Sequence, residues 1–335
     1  MRSATLDKPF LIRQEEMAIP IPGEGEVRIR IKEVGICGSD IHFFLGHRLL
    51  DKPMVIGHEG LGIIDQVGLA VDGLRVGDRV VIEPNIPCFS CKYCLKGKSM
   101  VCPNKRVIGL TEPGCFAEYV CMPSDFVHLI PTEISDEDAV VIEPMAVAYH
   151  ALKSSNAKPG ETIAVIGLGA IGLLITHLAI ALGYKVCVLE TQAQKNEIAQ
   201  KMGATPVPSL QVEDIERYWL ENEIVAIFEC AGASQTASFA TSCAPRGSEI
   251  ILVGLSEQLA TFQPLKLVRE GISIIPSLIY KHPTDFKDVI ELIQHKVIQP
   301  GQIISGYYPL DQLQEAFMLA SKGSEAKLII QISEI

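Results

Sequence analysis

The chain has 335 residues, 48% of them hydrophobic, with 29 basic against 40 acidic side chains and a net charge of −11. That length suits two domains of ordinary size, each with its own core. The acidic balance argues against nucleic acid or an anionic membrane as the main partner, because both attract basic surfaces.

Residues 1–17 lack the apolar stretch of a secretory signal, so a cytoplasmic address is expected. The first 130 residues read as short strands. VRIRIKEVG, VIGHEGLGIIDQVG and DRVVIEP carry β-branched residues bounded by Gly, Pro and Asp. Within this stretch stands Cys37-Gly-Ser39-Asp40-Ile-His42, and sixteen residues after His42 comes His58-Glu59. Much later comes Glu143-Pro144. A catalytic zinc needs about three protein ligands and one open position. Cys37 and His58 are suitable donors, and Glu59 and Glu143 could supply oxygen directly or from behind another ligand. Spacing alone leaves each His open to an ordinary structural role.

Four cysteines follow, Cys88, Cys91, Cys94 and Cys102. Two-residue gaps let neighbouring thiolates reach one ion from a tight loop, and the fourth closes a tetrahedron. That is the ligand set of a closed structural zinc site. The competing reading, a ladder of disulfides, needs an oxidising compartment. Cys115, Cys121, Cys187, Cys230 and Cys243 read as small buried hydrophobes.

From Thr162 the character changes. Apolar strands (TIAVIG, KVCVLE, IVAIFECAG, EIILVG, ISIIPSL) alternate with helical stretches such as AIGLLITHLAIALG and QAQKNEIAQKMG. This alternation predicts an α/β domain with a parallel sheet covered by helices on both faces. Residues 164–183 have about the length of a membrane span, but His177 and the glycines at 167, 169 and 172 split them into strand, turn and helix. That turn, Gly167-Leu-Gly169-Ala170-Ile171-Gly172, is a dinucleotide fingerprint in the required setting between strand and helix. Gly167 permits the tight turn, Gly169 lets backbone approach a pyrophosphate, and Gly172 lets helix and strand pack closely. Glu190 ends the next strand, 23 residues after Gly167. A carboxylate there would accept from the adenosine ribose hydroxyls and repel a 2′-phosphate, so NAD is expected over NADP. Lys195 is the residue that could soften the preference, and a plain solvated strand-end charge is the other reading of Glu190. After Pro283 the chain is helical (DFKDVIELIQHK) and ends in the strand-like KLIIQI.

CGSDIH, GHEGLG, GDRVVIEP, the four-cysteine lobe, PGCFAEYV, IEPMAV and GLGAIG stand in the order of the zinc-dependent medium-chain dehydrogenases. The chain resembles that family over essentially its whole length, most of all the sorbitol and sugar-acid dehydrogenases. The resemblance implies a Rossmann doubly wound sheet over residues 148–283. It also implies a catalytic domain over 1–147 and 284–335, a GroES-like, partly closed β barrel with a zinc lobe near 85–105. It makes Cys37 and His58 catalytic zinc ligands, gives Glu59 a third place, and puts Glu143 on the metal directly or through water. Ser39 would stand beside the reacting alcohol and His42 at the outer end of a proton relay, while Asp40 is assigned a structural part. The apolar strand ISIIPSL would pair across a two-fold axis in a homodimer or homotetramer. The cofactors implied are NAD and two zinc ions per chain, and the substrate a small alcohol.

The loop from Phe43 to Pro53 would line the substrate pocket, with Arg48 either meeting a carboxylate or phosphate or simply solvated. Polyol dehydrogenases place an Arg-Tyr pair where this chain has Tyr280-Lys281, which points away from sorbitol itself. A threonine dehydrogenase is the nearest enzymatic rival. A non-catalytic NAD- and zinc-binding protein is the rival of another class, and the zinc-free quinone reductases lack the Cys37, His58 and Glu59 set.

Overall fold

The computed structural model describes residues 1–208 and 211–333. The chain forms two compact units, residues 1–143 with 281–335, and residues 144–280. The sequence puts these divisions after 147 and after 283, and the last residues of its first domain, 334–335, lie outside the described ones.

In the first unit the strand Glu26–Gly35 is the spine. Val27, Ile29 and Ile31 are fully buried and alternate with the part-exposed Arg28, Arg30 and Lys32. This is the period-two pattern of a strand with one face on a core. On one edge it pairs antiparallel with Glu59–Val67, which continues to Arg79–Ile82 and Val127–Leu129. On the other it pairs with Lys327–Gln331, which runs parallel to Ile304–Pro309. Tyr119–Pro123 adds to the spine's first half. Among the described residues these ladders run as an open path, so the barrel is incomplete. A second sheet joins Leu11–Glu16, Arg2–Lys8 and Met54–Val55. The short ribbon of Asn85–Ile86 and Arg106–Val107 brackets the four cysteines.

One expectation needs correction. VIGHEGLGIIDQVG reads as a single strand, but it breaks at residues 56–58 between Met54–Val55 and Glu59–Val67. Gly57 has φ +94°, and a Cβ there would stand 2.7 Å from the Phe116 ring. The apolar run hides a left-handed turn that only glycine tolerates at this spot.

Among the described residues the second unit holds six parallel strands in the order Thr205–Pro206, Lys185–Leu189, Thr162–Ile166, Ile224–Glu229, Glu249–Leu252, Ser273–Pro276. Counted along the chain this is 3-2-1-4-5-6, the order of dinucleotide-binding doubly wound sheets. The central strand Thr162–Ile166 is buried on both faces, as a parallel sheet with helices on each side requires. Residues 170–181 form a helix at the turn, and no helix among the described residues is long and apolar enough to cross a membrane.

Candidate functional site: a glycine turn and two donor clusters

The glycine turn is built as its spacing predicts. Gly167 takes φ +86°, and a Cβ on it would meet Ala231 at 2.8 Å. A Cβ on Gly172 would stand 2.0 Å from the Gly167 carbonyl oxygen, so the helix Ala170–Ala181 lies against the strand only because residue 172 has no side chain. Gly169 caps that helix and has open space where its Cβ would be, the opening that a phosphate group needs. The Glu190 carboxylate accepts from the backbone N–H of Leu168 at 2.8 Å, of Thr191 at 2.7 Å and of Gln192 at 2.9 Å. Burial would push its pKa up, but these donors hold it below the ordinary glutamate value. Glu190 is therefore ionised and tied to the glycine turn through Leu168. Lys195 is buried in the first turn of the helix Ala193–Met202. Ala170 and Ile171 open the helix behind Gly169.

In the first unit the thiols of Cys88, Cys91, Cys94 and Cys102 all lie within 4.8 Å of one another. The sulfur separations include 3.4 Å for Cys88–Cys102, 3.5 Å for Cys91–Cys94 and 3.9 Å for Cys91–Cys102. A disulfide needs about 2.05 Å. Four sulfurs each about 2.3 Å from zinc in a tetrahedron stand about 3.8 Å apart. The observed spacing fits the metal. Backbone N–H groups of Ser90 and Cys91 draw the Cys88 thiol down to about 6, while burial and the neighbouring thiols push Cys94 up to about 12, so without an ion the crowded thiols do not all ionise.

Cys37, His58 and Glu59 form a second donor group within 4.8 Å, with Glu143 outside that set. Cys37 precedes the helix Gly38–Phe44, whose Asp40 accepts the Cys37 N–H at 3.0 Å and so holds the helix start. The other oxygen of the fully buried Asp40 faces His58 Nδ1 at 3.3 Å. Both atoms are buried and neither has another hydrogen-bond partner, so each is the other's nearest polar neighbour at 3.3 Å. Burial would lower the His58 pKa, yet the neighbouring Asp40 and Cys37 hold it well above the usual value. With Nδ1 turned to Asp40, Nε2 is left to face Ser39 Oγ at 3.3 Å and the donor group. A carboxylate behind a histidine is the usual means of fixing the tautomer and sharpening the basicity of a metal ligand. Three donors of cysteine, histidine and carboxylate type suit a catalytic zinc, which takes three protein ligands and keeps a fourth position for water or substrate.

Sequence reasoning gave Asp40 only a structural part and missed Lys327 altogether. Lys327 is buried and reaches both Glu59 oxygens, at 2.8 and 2.6 Å, and the Ile36 carbonyl at 3.0 Å. Nothing in the local sequence signals it, since 268 residues separate it from Glu59. His42 is exposed on the last turn of the Gly38–Phe44 helix, with its Nδ1 3.4 Å from Nδ1 of His47. The exposed Arg48 guanidinium stacks on the Phe43 ring at 4.9 Å, its cation spread over an aromatic face. Tyr280 is buried and Lys281 exposed.

Comparison with known proteins gives the family. Residues 23–132 match the alcohol dehydrogenase GroES-like domain, and residues 170–295 match the zinc-binding dehydrogenase domain. The chain is 32% identical over 327 residues to a sorbitol dehydrogenase of Bacillus subtilis, covering 94% of this chain and 92% of that one. It is 31% identical over 344 residues to D-xylulose reductase A of Aspergillus oryzae, covering 98% and 96%. The crystal structure of galactitol-1-phosphate dehydrogenase from Escherichia coli superposes with a TM-score of 0.93 at 29% identity, over 99% of this chain and 100% of that one. With two donor clusters and a dinucleotide turn on this scaffold, the chain belongs to the zinc-dependent medium-chain dehydrogenases, among the polyol dehydrogenases.

Proposed function

We propose that this enzyme oxidises a secondary hydroxyl of a polyol or sugar acid and delivers the hydride to NAD. The observation that carries the reading is the group of Cys37, His58 and Glu59 with Ser39 Oγ 3.3 Å from His58 Nε2, since it sets a hydroxyl relay residue against a metal-ligand set. Cys37 and His58 would hold the zinc, Glu59 would take a third place, and Glu143, outside that donor group, would stand by as a more distant carboxylate. Zinc in such a site supplies Lewis acidity, lowering the pKa of a bound hydroxyl. A dinucleotide held at the Gly167–Gly172 turn and Glu190 would supply the hydride acceptor. Asp40 orients His58 and so fixes the ligand that Ser39 adjoins. Ser39 Oγ would take the substrate's hydroxyl proton as it passes its own to the ribose hydroxyls of a bound dinucleotide, and His42, exposed at the far end of the same helix, would take the proton from there and release it to solvent. The four thiolates Cys88, Cys91, Cys94 and Cys102 close a second, structural zinc site with no position for substrate. Thiolate ligands need reducing surroundings, which supports a cytoplasmic address.

His42→Ala should slow turnover about tenfold, less than the hundredfold or more of an internal acid–base group, because water replaces an exposed side chain in part. Added imidazole should restore some of the rate, and a steady-state assay with and without it checks this.

Glu190 supports NAD over NADP, because its ionised carboxylate would repel a 2′-phosphate. Glu190→Ala should raise KM for NAD roughly tenfold or more, since a hydrogen bond to a charged group contributes about 1.5–3 kcal/mol. The same variant should narrow the gap between NAD and NADP, read from kcat/KM for each.

A homodimer, or a dimer of dimers, is supported by the outer strand Ser273–Pro276. It is largely exposed, and Leu265 and Val268 lie exposed in the helix before it. An apolar sheet edge left open invites strand pairing. The functional reading is tested by a panel of polyols, sugar acids, polyol phosphates and threonine with each dinucleotide, followed by absorbance of the reduced cofactor. Turnover on polyols with NAD is expected. Turnover confined to threonine would replace the substrate class.

A further inference from the structure

Lys327 sits where a metal-site description would not look for a cation. It is the first residue of the strand Lys327–Gln331, which flanks the spine strand on the side away from Glu59–Val67. Glu59 is paired with Gly35 in the register, and Gly35 is paired with Ile329 on the other side. The lysine therefore crosses the end of the spine strand to reach the carboxylate. A Cβ at Gly35 would stand 2.0 Å from a Glu59 oxygen, so glycine there keeps the lane open. At its end the Lys327 ammonium contacts both oxygens of Glu59 and lies in the field of Cys37 and Glu143.

The charges explain why a cation is useful here. Cys37 as thiolate, Glu59, Glu143 and the buried Asp40 behind His58 give four negative charges, against which a zinc ion would bring two positive ones. Lys327 offsets one of the two left over before any substrate binds. The contact also engages Glu59 itself. A carboxylate has about four lone-pair directions. The ammonium draws on both oxygens, which weakens what either can offer a metal.

We propose that Lys327 is a positioning residue that tethers Glu59 and keeps it a weak, exchangeable metal ligand, so that the metal retains a place for substrate. This rests on the assignment of Cys37, His58 and Glu59 to the catalytic zinc. Without Lys327 the carboxylate is free to bind the metal fully and a nearby positive charge is gone. Both changes tighten zinc and close the site.

The test uses the full-length zinc-loaded enzyme with Lys327→Met, Lys327→Gln and Lys327→Arg, beside Cys37→Ser. Zinc release is followed under a chelator, and the visible spectrum is recorded after cobalt replaces zinc. Lys327→Met and Lys327→Gln should hold the Cys37-dependent ion about tenfold more tightly, a shift of the size seen for residues behind a metal ligand but opposite in sign to the usual loss. Their cobalt spectra should change band intensity, reporting Glu59 as a stronger third ligand, and kcat should fall. Lys327→Arg should keep the parent's metal retention and spectrum. A merely structural ion pair gives the opposite sign, because breaking it loosens the site and the ion leaves faster. The glutamine variant retains a polar group of similar reach, so the comparison survives if the methionine variant does not fold. Zinc held no more tightly in either neutral variant than in the parent overturns the Lys327 proposal alone. A parent enzyme without a Cys37-dependent ion overturns the site assignment and this proposal with it.

Discussion

Cys37→Ser and His58→Ala should each lower kcat about a thousandfold or more while the fold and the four-thiolate zinc remain. A thousandfold loss corresponds to about 4 kcal/mol at the transition state, the scale of Lewis-acid stabilisation of a developing alkoxide. The sizes are expected to be similar because the two side chains hold one ion, and groups that act as a unit do not lose their contributions separately. His58→Ala also leaves the buried Asp40 carboxylate without its ring partner, so this variant should be somewhat less stable than Cys37→Ser. Steady-state rates, zinc content and circular dichroism on the same preparations check all three points. Rates within tenfold of the parent in both variants would remove the catalytic metal from these residues.

Cys94→Ser should act on stability first. One thiolate of the cluster goes, and the remaining three hold zinc poorly, so metal content should drop from two ions per chain to one. Structural zinc binding is coupled to folding, with apparent values of about 10–16 kcal/mol in isolated zinc fingers. The whole enzyme should lose only part of that, since the ribbon Asn85–Ile86 with Arg106–Val107 still anchors the lobe at its base. The expected signs are a clearly lower Tm and protease cleavage within residues 88–102. Activity at low temperature should outlast that loss, because no reacting group is removed. Unchanged zinc content and Tm would show that the four thiols serve no structural ion.

Some of this was legible in the sequence because the physics is local. The glycine turn is set by three residues whose missing side chains are demanded by atoms a few residues away, Gly172 against the Gly167 carbonyl above all. The four thiols come close because short loops bring near neighbours together. The alternating strands and helices of the second unit follow from period alone, and their order follows from the doubly wound rule. Other parts depend on distant chain and carry no local mark. The strand Leu11–Glu16 is mostly exposed, so it shows no alternation and was not visible as a strand. The turn at Gly57 was masked by the apolar residues on either side. Asp40 was assigned only a structural part; it does hold the helix start, and only the fold reveals that its second oxygen addresses His58. Lys327 could not be placed at all without the strand order that brings it beside Gly35.

The most direct measurement of the whole account is polyol oxidation through one cycle of metal removal and return. The enzyme is stripped of its Cys37-dependent ion by a chelator, assayed for NADH formation, then reloaded with zinc and assayed again. Activity on a polyol with NAD, lost on stripping and restored by zinc in proportion to the ion rebound, is the predicted result. Polyol oxidation that persists in the stripped enzyme, or none in an enzyme holding both ions, would contradict the account.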